Sequence, residues 1–374
     1  MIRSKMIPAV KIALTLVVVL CIAYWGFNKF KNMSMKKYKW EPTSNAPILF
    51  PVKIHVAYMR YGENSALAVA GSDNTGLGDV GSTYGLEGAF PLPTGLDVIW
   101  LSWVDKKFYR AEVDFPMEQI TRFFEEGYIN FKGEKENYKW VNACFLPGGR
   151  IVVYLTGYEK GVVLAEYQGK ETTVEMKDFI PDGYFAYKNW NEYFKDRFDH
   201  STRKWVSNYH ANGVPYGLWD RYFERFNYDV KFEFENKQSV DKGSGYDFTN
   251  GEQGIIAPLY SPGMPITPAA RVRVITNEWT VGEHLYSAWF YFNEQEVLDV
   301  FDKAFKGNPE QKGELKIWVS KYNNLFDISL TVAGREYKFE KTQIRVFKEP
   351  KEKPEDAELI YISYEGNHDL FLGE

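Results

Sequence analysis

Two stretches of this chain carry the same β-rich pattern in the same order, and that repetition constrains the fold more than any single motif. In the first, residues 96–103 (LDVIWLSW) lead into 107–115 (KFYRAEVDF) and then 116–126 (PMEQITRFFEE). In the second, residues 271–279 (RVRVITNEW) lead into 284–292 (HLYSAWFYF) and then 293–305 (NEQEVLDVFDKAF). Tyr109 matches Tyr286, Ala111 matches Ala288, Phe115 matches Phe292 and Phe124 matches Phe301, all at one spacing. The later halves pair residues 149–168 with 313–332, setting Gly149 on Gly313, Tyr154 on Trp318 and Tyr158 on Tyr322. After one inserted residue, 169–171 meet 334–336. The openings pair 52–56 (VKIHV) with 230–234 (VKFEF). Shared order and apolar pattern over such a length indicate an internal repeat.

Alternation of apolar and polar residues predicts strands, as over 316–320 and 327–331. A longer period predicts one helix per unit. Ile120, Phe123 and Phe124 share one face, as do Val297, Phe301 and Phe305. Pro116 suits a helix start, and Asn293 with Glu296 suits an N-cap and its partner three residues on. Between the units, residues 184–228 carry two aromatic stripes at helical spacing, Trp190/Phe194/Phe198 and Trp219/Tyr222/Phe223/Phe226, of the kind usually buried. Asp220, Arg221, Glu224 and Arg225 have the spacing of ion pairs on a solvated helix face.

Ahead of the units, residues 6–27 are apolar apart from Lys11 and Thr15, and a helix of that length spans a bilayer core of about 30 Å. The first 37 residues carry seven basic side chains and no acid. A cleavable signal ends in small residues, but Cys21 is followed by Ile22, Ala23, Tyr24 and Trp25. Val18, Val19 and Leu20 precede it and are too bulky for a lipoprotein cysteine. The pattern favours an uncleaved anchor, with Tyr24 and Trp25 at the interface, over a removed or lipidated signal. Basic residues flank both ends of the run, so charge counting alone leaves the orientation open. A short basic N-terminus before an N-terminal anchor favours an ectodomain outside the cytoplasm.

The expected fold is therefore α+β, mainly β, with two tandem β-rich units each carrying one helix, joined by a helical aromatic segment and preceded by one transmembrane helix. The expected boundaries are 1–28 anchor, 29–47 linker, 48–183 first unit, 184–228 connector, 229–347 second unit and 348–374 a tail containing a strand.

The chain holds 50 acidic against 45 basic residues. Seven of those bases fall in the first 37 residues, so the rest is more acidic still. That excludes a nucleic-acid footprint, which is basic, and allows electrostatic attraction of a basic partner. Only Cys21 and Cys144 occur, so no intrachain disulfide framework is expected. Gly76, Gly78 and Gly81 spell G-x-G-x-x-G. Dinucleotide binding needs a helix straight after that motif, and residues 82–91 (STYGLEGAFP) are full of helix breakers. The five histidines, His55, His200, His210, His284 and His368, have no zinc spacing. No G-x-S-x-G elbow occurs, and Cys144 reads as a packing residue. No catalytic residue, metal site or cofactor is expected.

Both units place a long Gly/Asp/Asn/Ser loop after their first strand, residues 71–88 and 241–254. Long loops in compact domains are often functional.

Residues 92–116 (LPTGLDVIWLSWVDKKFYRAEVDFP), 145–157 (FLPGGRIVVYLTG) and 166–181 (EYQGKETTVEMKDFIP), continuing through 215–234, resemble a bacterial family known as domain of unknown function 2931. The resemblance covers about half of the chain. It implies an envelope lipoprotein-like protein with no catalytic residues to carry over. The chain departs from the family in lacking a good lipobox at Cys21 and in having an additional C-terminal unit. Such genes resemble those found beside type VI secretion lipase effectors, which implies an immunity role.

The expectation is thus a non-catalytic protein-binding module in the bacterial inner membrane, its ectodomain in the periplasm, that captures a basic effector. Asp73, Asp79, Asp247 and Glu252 are the candidate partner-binding residues. The alternative is an envelope structural or lipid/glycan-binding module using residues 184–228.

Overall fold

The structure, a computed structural model, describes residues 35–71, 74–260, 262–307, 309–350 and 356–374. The expected anchor and Asp73 lie outside the described residues. Among the described residues no helix is long and apolar enough to cross a membrane.

The fold is mainly β with a smaller helical share. The first half contains β1 (Glu41–Asn45), β2 (Val52–Tyr61), β3 (Ser65–Ala68), β4 (Pro93–Ser102), β5 (Lys107–Asp114), α1 (Met117–Glu126), β6 (Tyr128–Ile129), β7 (Lys135–Glu136), β8 (Trp140–Leu146), β9 (Arg150–Thr156), β10 (Gly161–Gln168) and β11 (Lys170–Thr172). Four helices follow: α2 (Met176–Phe179), α3 (Trp190–Asp199), α4 (Lys204–Asn212) and α5 (Leu218–Phe223). The second half contains β12 (Tyr228–Phe234), β13 (Val240–Phe248), β14 (Gln253–Ile256), β15 (Val272–Val281), β16 (His284–Tyr291), α6 (Glu294–Phe305), β17 (Gly313–Val319), β18 (Phe326–Val332), β19 (Arg335–Phe339), β20 (Gln343–Pro350) and β21 (Glu358–Ile362).

Strand order is the same in the two halves. The first has an antiparallel sheet β11-β5-β4-β2-β3, and the second has β20-β16-β15-β13-β14. The first also has β1-β8-β9-β10 with β1 and β8 parallel, and the second β12-β17-β18-β19 with β12 and β17 parallel. Register sharpens the match. Trp100 lies opposite Tyr109, and Trp279 opposite Tyr286, with ring centroids 5.5 and 5.6 Å apart. A β-bulge skips His55 between β2 and β4, and another skips Lys242 between β13 and β15, one residue beyond the partner of that tryptophan each time. A second bulge near the far end of the pairing skips Thr94 in one half and Arg273 in the other.

This register corrects the sequence alignment. Residues 149–168 form β9 and β10, but 313–332 form β17 and β18, whose counterparts are β8 and β9. Likewise β12 matches β1, not β2. The first mismatch pairs one Gly-led apolar run with another, although the true counterpart, β8 (WVNACFL), has no leading glycine, and the second pairs two strands that both open Val-Lys, VKIHV and VKFEF.

Within each half the two sheets face one another across a core. Trp100, Tyr109 and Ala111 from one sheet meet Phe145, Ile151, Val153 and Leu155 from the other, with Ile120 and Phe124 of α1 between them. In the second half Trp279, Tyr286 and Phe290 meet Ile317, Val319 and Leu330, with Val297 and Phe301 of α6. Asn293 caps α6 as expected, accepting from the Glu296 amide at 3.1 Å. The Glu296 carboxylate instead accepts from the Glu340 and Lys341 amides.

β8 and β9 are apolar across residues 141–146 and 151–155 except at Asn142, because both faces are covered. Val141, Ala143 and Phe145 point into the first core, while Cys144, Leu146, Val152 and Tyr154 join the second core with Trp219, Tyr222 and Phe248. β10 then meets β14 where Gly161 lies opposite Gln253, so the strands merge into one ten-stranded sheet.

Helix α5 stops at Phe223, so the ion-pair expectation for residues 220–225 fails in its detail. Asp220 pairs with Arg150 at 2.9 Å and Arg221 with Asp302 at 2.7 Å. Glu224 pairs with the fully buried Arg271 at 2.6 Å and Arg225 with Glu252 at 2.8 Å. The four charges tie the connector to both halves instead of decorating one face.

Candidate functional site

The expected linker ends too late. Residues 41–45 form β1, and Thr43, Ser44 and Asn45 are fully buried although polar. They are buried because they hold the glycine loop 71–88, whose carbonyls need donors. Ser44 Oγ donates to the Ala70 carbonyl at 2.8 Å and Thr43 Oγ1 to that of Ser82 at 3.0 Å. Asn45 Nδ2 donates to the Gly76 and Asp79 carbonyls at 2.5 and 2.8 Å, and its Oδ1 accepts from the Thr75 amide. Asn142 of β8 adds a second donor to the Asp79 carbonyl at 2.7 Å. The loop is thereby fixed along an edge strand.

The second segment is mostly not a loop. Residues 240–248 are a central strand, and only a tight turn at 249–252 remains. The glycines at 243 and 245 concealed it, since glycine in a strand marks a bulge or a close approach. Gly243 has φ 142° at the bulge, and a Cβ there would lie 2.6 Å from the Phe131 ring.

The two segments meet backbone to backbone. A Cβ on Gly78 would fall 1.9 Å from the Gly251 carbonyl oxygen, and Gly78 has φ 76°. The G-x-G-x-x-G motif therefore serves close approach between loops. No helix follows it.

Beside this contact, Asp79, Asp247 and Glu374 surround Arg273. The bulge in β15 turns Arg273 toward the same face as Asp247, as bulges re-aim side chains. Arg273 pairs with Asp247 at 3.6 Å and also with Glu374. The chain's last residues reach this point because Phe371 is buried, Trp219 Nε1 donates to the Gly373 carbonyl at 3.1 Å, and the Leu372 amide donates to Glu294 at 2.7 Å. Burial pushes the Asp79 carboxyl up to about 6, opposed by Arg273 and reinforced by Asp247 and Glu374. Burial also raises Asp247, against the pull of Arg273. Three carboxylates around one guanidinium leave excess negative charge on a partly open surface, suited to an incoming cationic side chain. Among the described residues no group of three or more His, Cys, Asp or Glu is placed to hold a metal.

Two of the four expected site residues thus come together, Asp79 and Asp247. Asp73 lies outside the described residues. Glu252 is a correction: it is 2% exposed and wholly engaged, accepting from Arg225, from the Val163 amide at 2.9 Å and from Asn250 Nδ2 at 2.9 Å. Sequence reasoning missed Arg273 and Glu374. The paired bulges were the only available signal, and they need the register to be seen. Cys144 is fully buried, and burial raises its thiol far above the usual range, consistent with packing.

A second concavity, of about 810 Å³, opens beside the aromatic connector, where Lys53, Arg197, His200 and Arg203 surround Trp103 and Trp205.

The model of a protein family of unknown function, domain of unknown function 2931, matches residues 28–217, and the chain belongs to that family. The matched stretch holds the first half and the helices up to α4, and it stops one residue before α5. No curated protein and no solved structure matches the chain.

Proposed function

We propose that this protein is a membrane-anchored periplasmic protein-binding module without catalysis, and that it acts as an immunity protein against a type VI lipase-type effector. Its two halves are tandem copies of one unit, and residues 1–28 anchor them to the inner membrane. The observation that carries the binding surface is the gathering of Asp79, Asp247 and Glu374 around the single Arg273 at the contact of two loops. A preformed surface with excess negative charge favours a basic partner and speeds its association.

The test is capture from envelope extract by the full-length protein, followed by association kinetics with the purified partner at two ionic strengths. One stoichiometric basic partner, bound more slowly and with a flatter salt dependence by Asp79→Lys/Asp247→Lys, supports the proposal. Kinetics unchanged in that variant overturn it. The mature N-terminus by mass spectrometry, with a reporter fused after Glu374, tests the anchor. A mature chain starting at Cys21 or a cytoplasmic reporter signal sinks that part.

One observation favours the alternative of an envelope lipid- or glycan-binding module. In the connector concavity, Arg197 and Arg203 border Trp103 and Trp205, a combination that suits an anionic headgroup or acidic sugar.

A further inference from the structure

The outer faces of the two matching five-stranded sheets are finished differently. On the first, Ile99, Leu101 and Phe108 point away from the core and are covered by α2 and α3. Phe108 meets the Phe179 and Trp190 rings, each at 4.9 Å, and Tyr193 and Phe194 complete a closed cluster with Leu101. The bulged His55 lies 5.7 Å from the Phe179 ring. On the second sheet, register places Glu278, Thr280 and Leu285 where Ile99, Leu101 and Phe108 stand, and Lys242 at the bulge of His55.

No helix among the described residues lies over that second face. These four residues instead line an open pocket of about 430 Å³, walled by Phe131, Leu259, Tyr260 and Glu349. Leu259 is 83% and Tyr260 55% exposed. Residues 358–374, which follow β20, add a strand beside it and then run to the loop contact, so they do not cover the pocket. Glu349 takes the register position of Thr172. Glu278 and Glu349 have no ion pair among the described residues, although Lys242 shares the pocket.

We propose that this pocket docks an amphipathic helix of a protein partner. The helix seats an aromatic side chain over Thr280 and Leu285 and sets Lys or Arg beside Glu278 and Glu349. The aromatic requirement follows from the cover this molecule uses at the matching position, the Trp190/Phe194 stripe of α3. The basic requirement follows from two carboxylates standing where the covered sheet has Ile99 and Thr172. Helix-in-groove recognition works by such periodic anchors, and exposed apolar patches on a soluble surface mark interaction sites. Burial together with the Glu349 charge raises the Glu278 carboxyl, as an unneutralised acid pair should. The pocket is independent of Asp79 and Asp247.

The probe is a fluorescent peptide of residues 187–200 of this chain carrying Glu192→Lys, Asp196→Lys and Asp199→Lys, titrated into the full-length protein by anisotropy. Saturable binding is expected, weakened roughly tenfold or more by Glu278→Lys/Glu349→Lys or by Leu285→Asp. It should be unchanged in Asp79→Lys/Asp247→Lys, which separates this site from the loop contact. Melting curves control for folding, and Glu278→Gln/Glu349→Gln replaces the charge reversal if that variant melts early. No saturable binding, or equal binding by wild type and by the variants at 278 and 349, overturns the proposal. A concentration-dependent dimer that Leu259→Asp dissolves would assign the pocket to a second copy of the chain and also overturn it.

Discussion

One strand order, with bulges at matching places, is completed by its own helices in one half and left open in the other. Ile99, Leu101 and Phe108 become Glu278, Thr280 and Leu285. The open face has exchanged two of three apolar residues for polar ones, which is what an uncovered surface needs to stay soluble. The family match runs to residue 217, so it takes in the first β unit, its cover of α2 and α3, and α4 beyond them. The second half has the same strand order without such a cover among the described residues, and its other sheet is β12-β17-β18-β19. Covering a sheet face and keeping it for a partner are thus two uses of one architecture, separated by a few side chains.

The comparison breaks most forcefully in the cores. Phe124 of α1 and Phe301 of α6 occupy matching sites and are 2% and 0% exposed. Each Phe→Ala should cost about 3–5 kcal/mol by chemical denaturation. A cost at one site alone would show that the two cores are not built alike.

Next in size is the cover. Phe194 is 5% exposed and stacks on Trp190 at 5.7 Å. Phe194→Ala should lose about 3 kcal/mol and expose the first sheet to an apolar dye. Leu285→Ala, in the open pocket, should lose about 1 kcal/mol or less. Equal losses would mean that the second face is sealed after all.

Smaller again is the contrast between the paired tryptophans. Trp279 Nε1 donates to Asn323 Oδ1 at 3.0 Å, whereas Trp100 Nε1 is buried with no hydrogen-bond partner among the described residues. Trp→Phe should therefore cost more at 279, where it also strands a buried amide oxygen, by about 1–3 kcal/mol. A larger loss at 100 would refute the assignment of that hydrogen bond.

Much of this frame was legible before the structure. The β4–β5 and β15–β16 hairpins, both core helices and the Asn293 cap follow from period and spacing, because side-chain burial there dominates local preference. What stayed hidden were elements whose stability comes from backbone partners. β1 (EPTSN) reads as linker since Thr43, Ser44 and Asn45 look solvated, and only the carbonyls of a loop 26 to 39 residues away explain their burial. β13 reads as a loop because its glycines answer to close neighbours. Asp79 and Asp247 come together because acids in two glycine-rich segments converge. Glu252 failed because a turn acid can be a buried staple, and no local signal announces Arg225 as its partner.

The smallest effect probes the loop contact itself. Asp79 rises from 3.8 to about 6 in the folded protein, mainly through burial. The folded state then binds the proton more tightly than the unfolded one. This favours folding fully below about pH 4, and the advantage is lost as pH rises through about 6. Asp79 keeps one side open to solvent although its carboxyl is packed against the contact, so screening should hold the contribution below about 1 kcal/mol. Asp79→Asn keeps the carbonyl that Asn45 and Asn142 hold. It should flatten the stability profile between pH 4 and 6 and raise the melting temperature slightly at pH 7.5. The counterpart in the open pocket, Glu278→Gln, removes the raised carboxyl there and should relieve repulsion from Glu349 without touching Arg273. If Asp79→Asn leaves the pH profile unchanged while Asp247→Asn flattens it, the titrating group at the contact is Asp247. The excess charge offered to a partner would then sit one strand deeper.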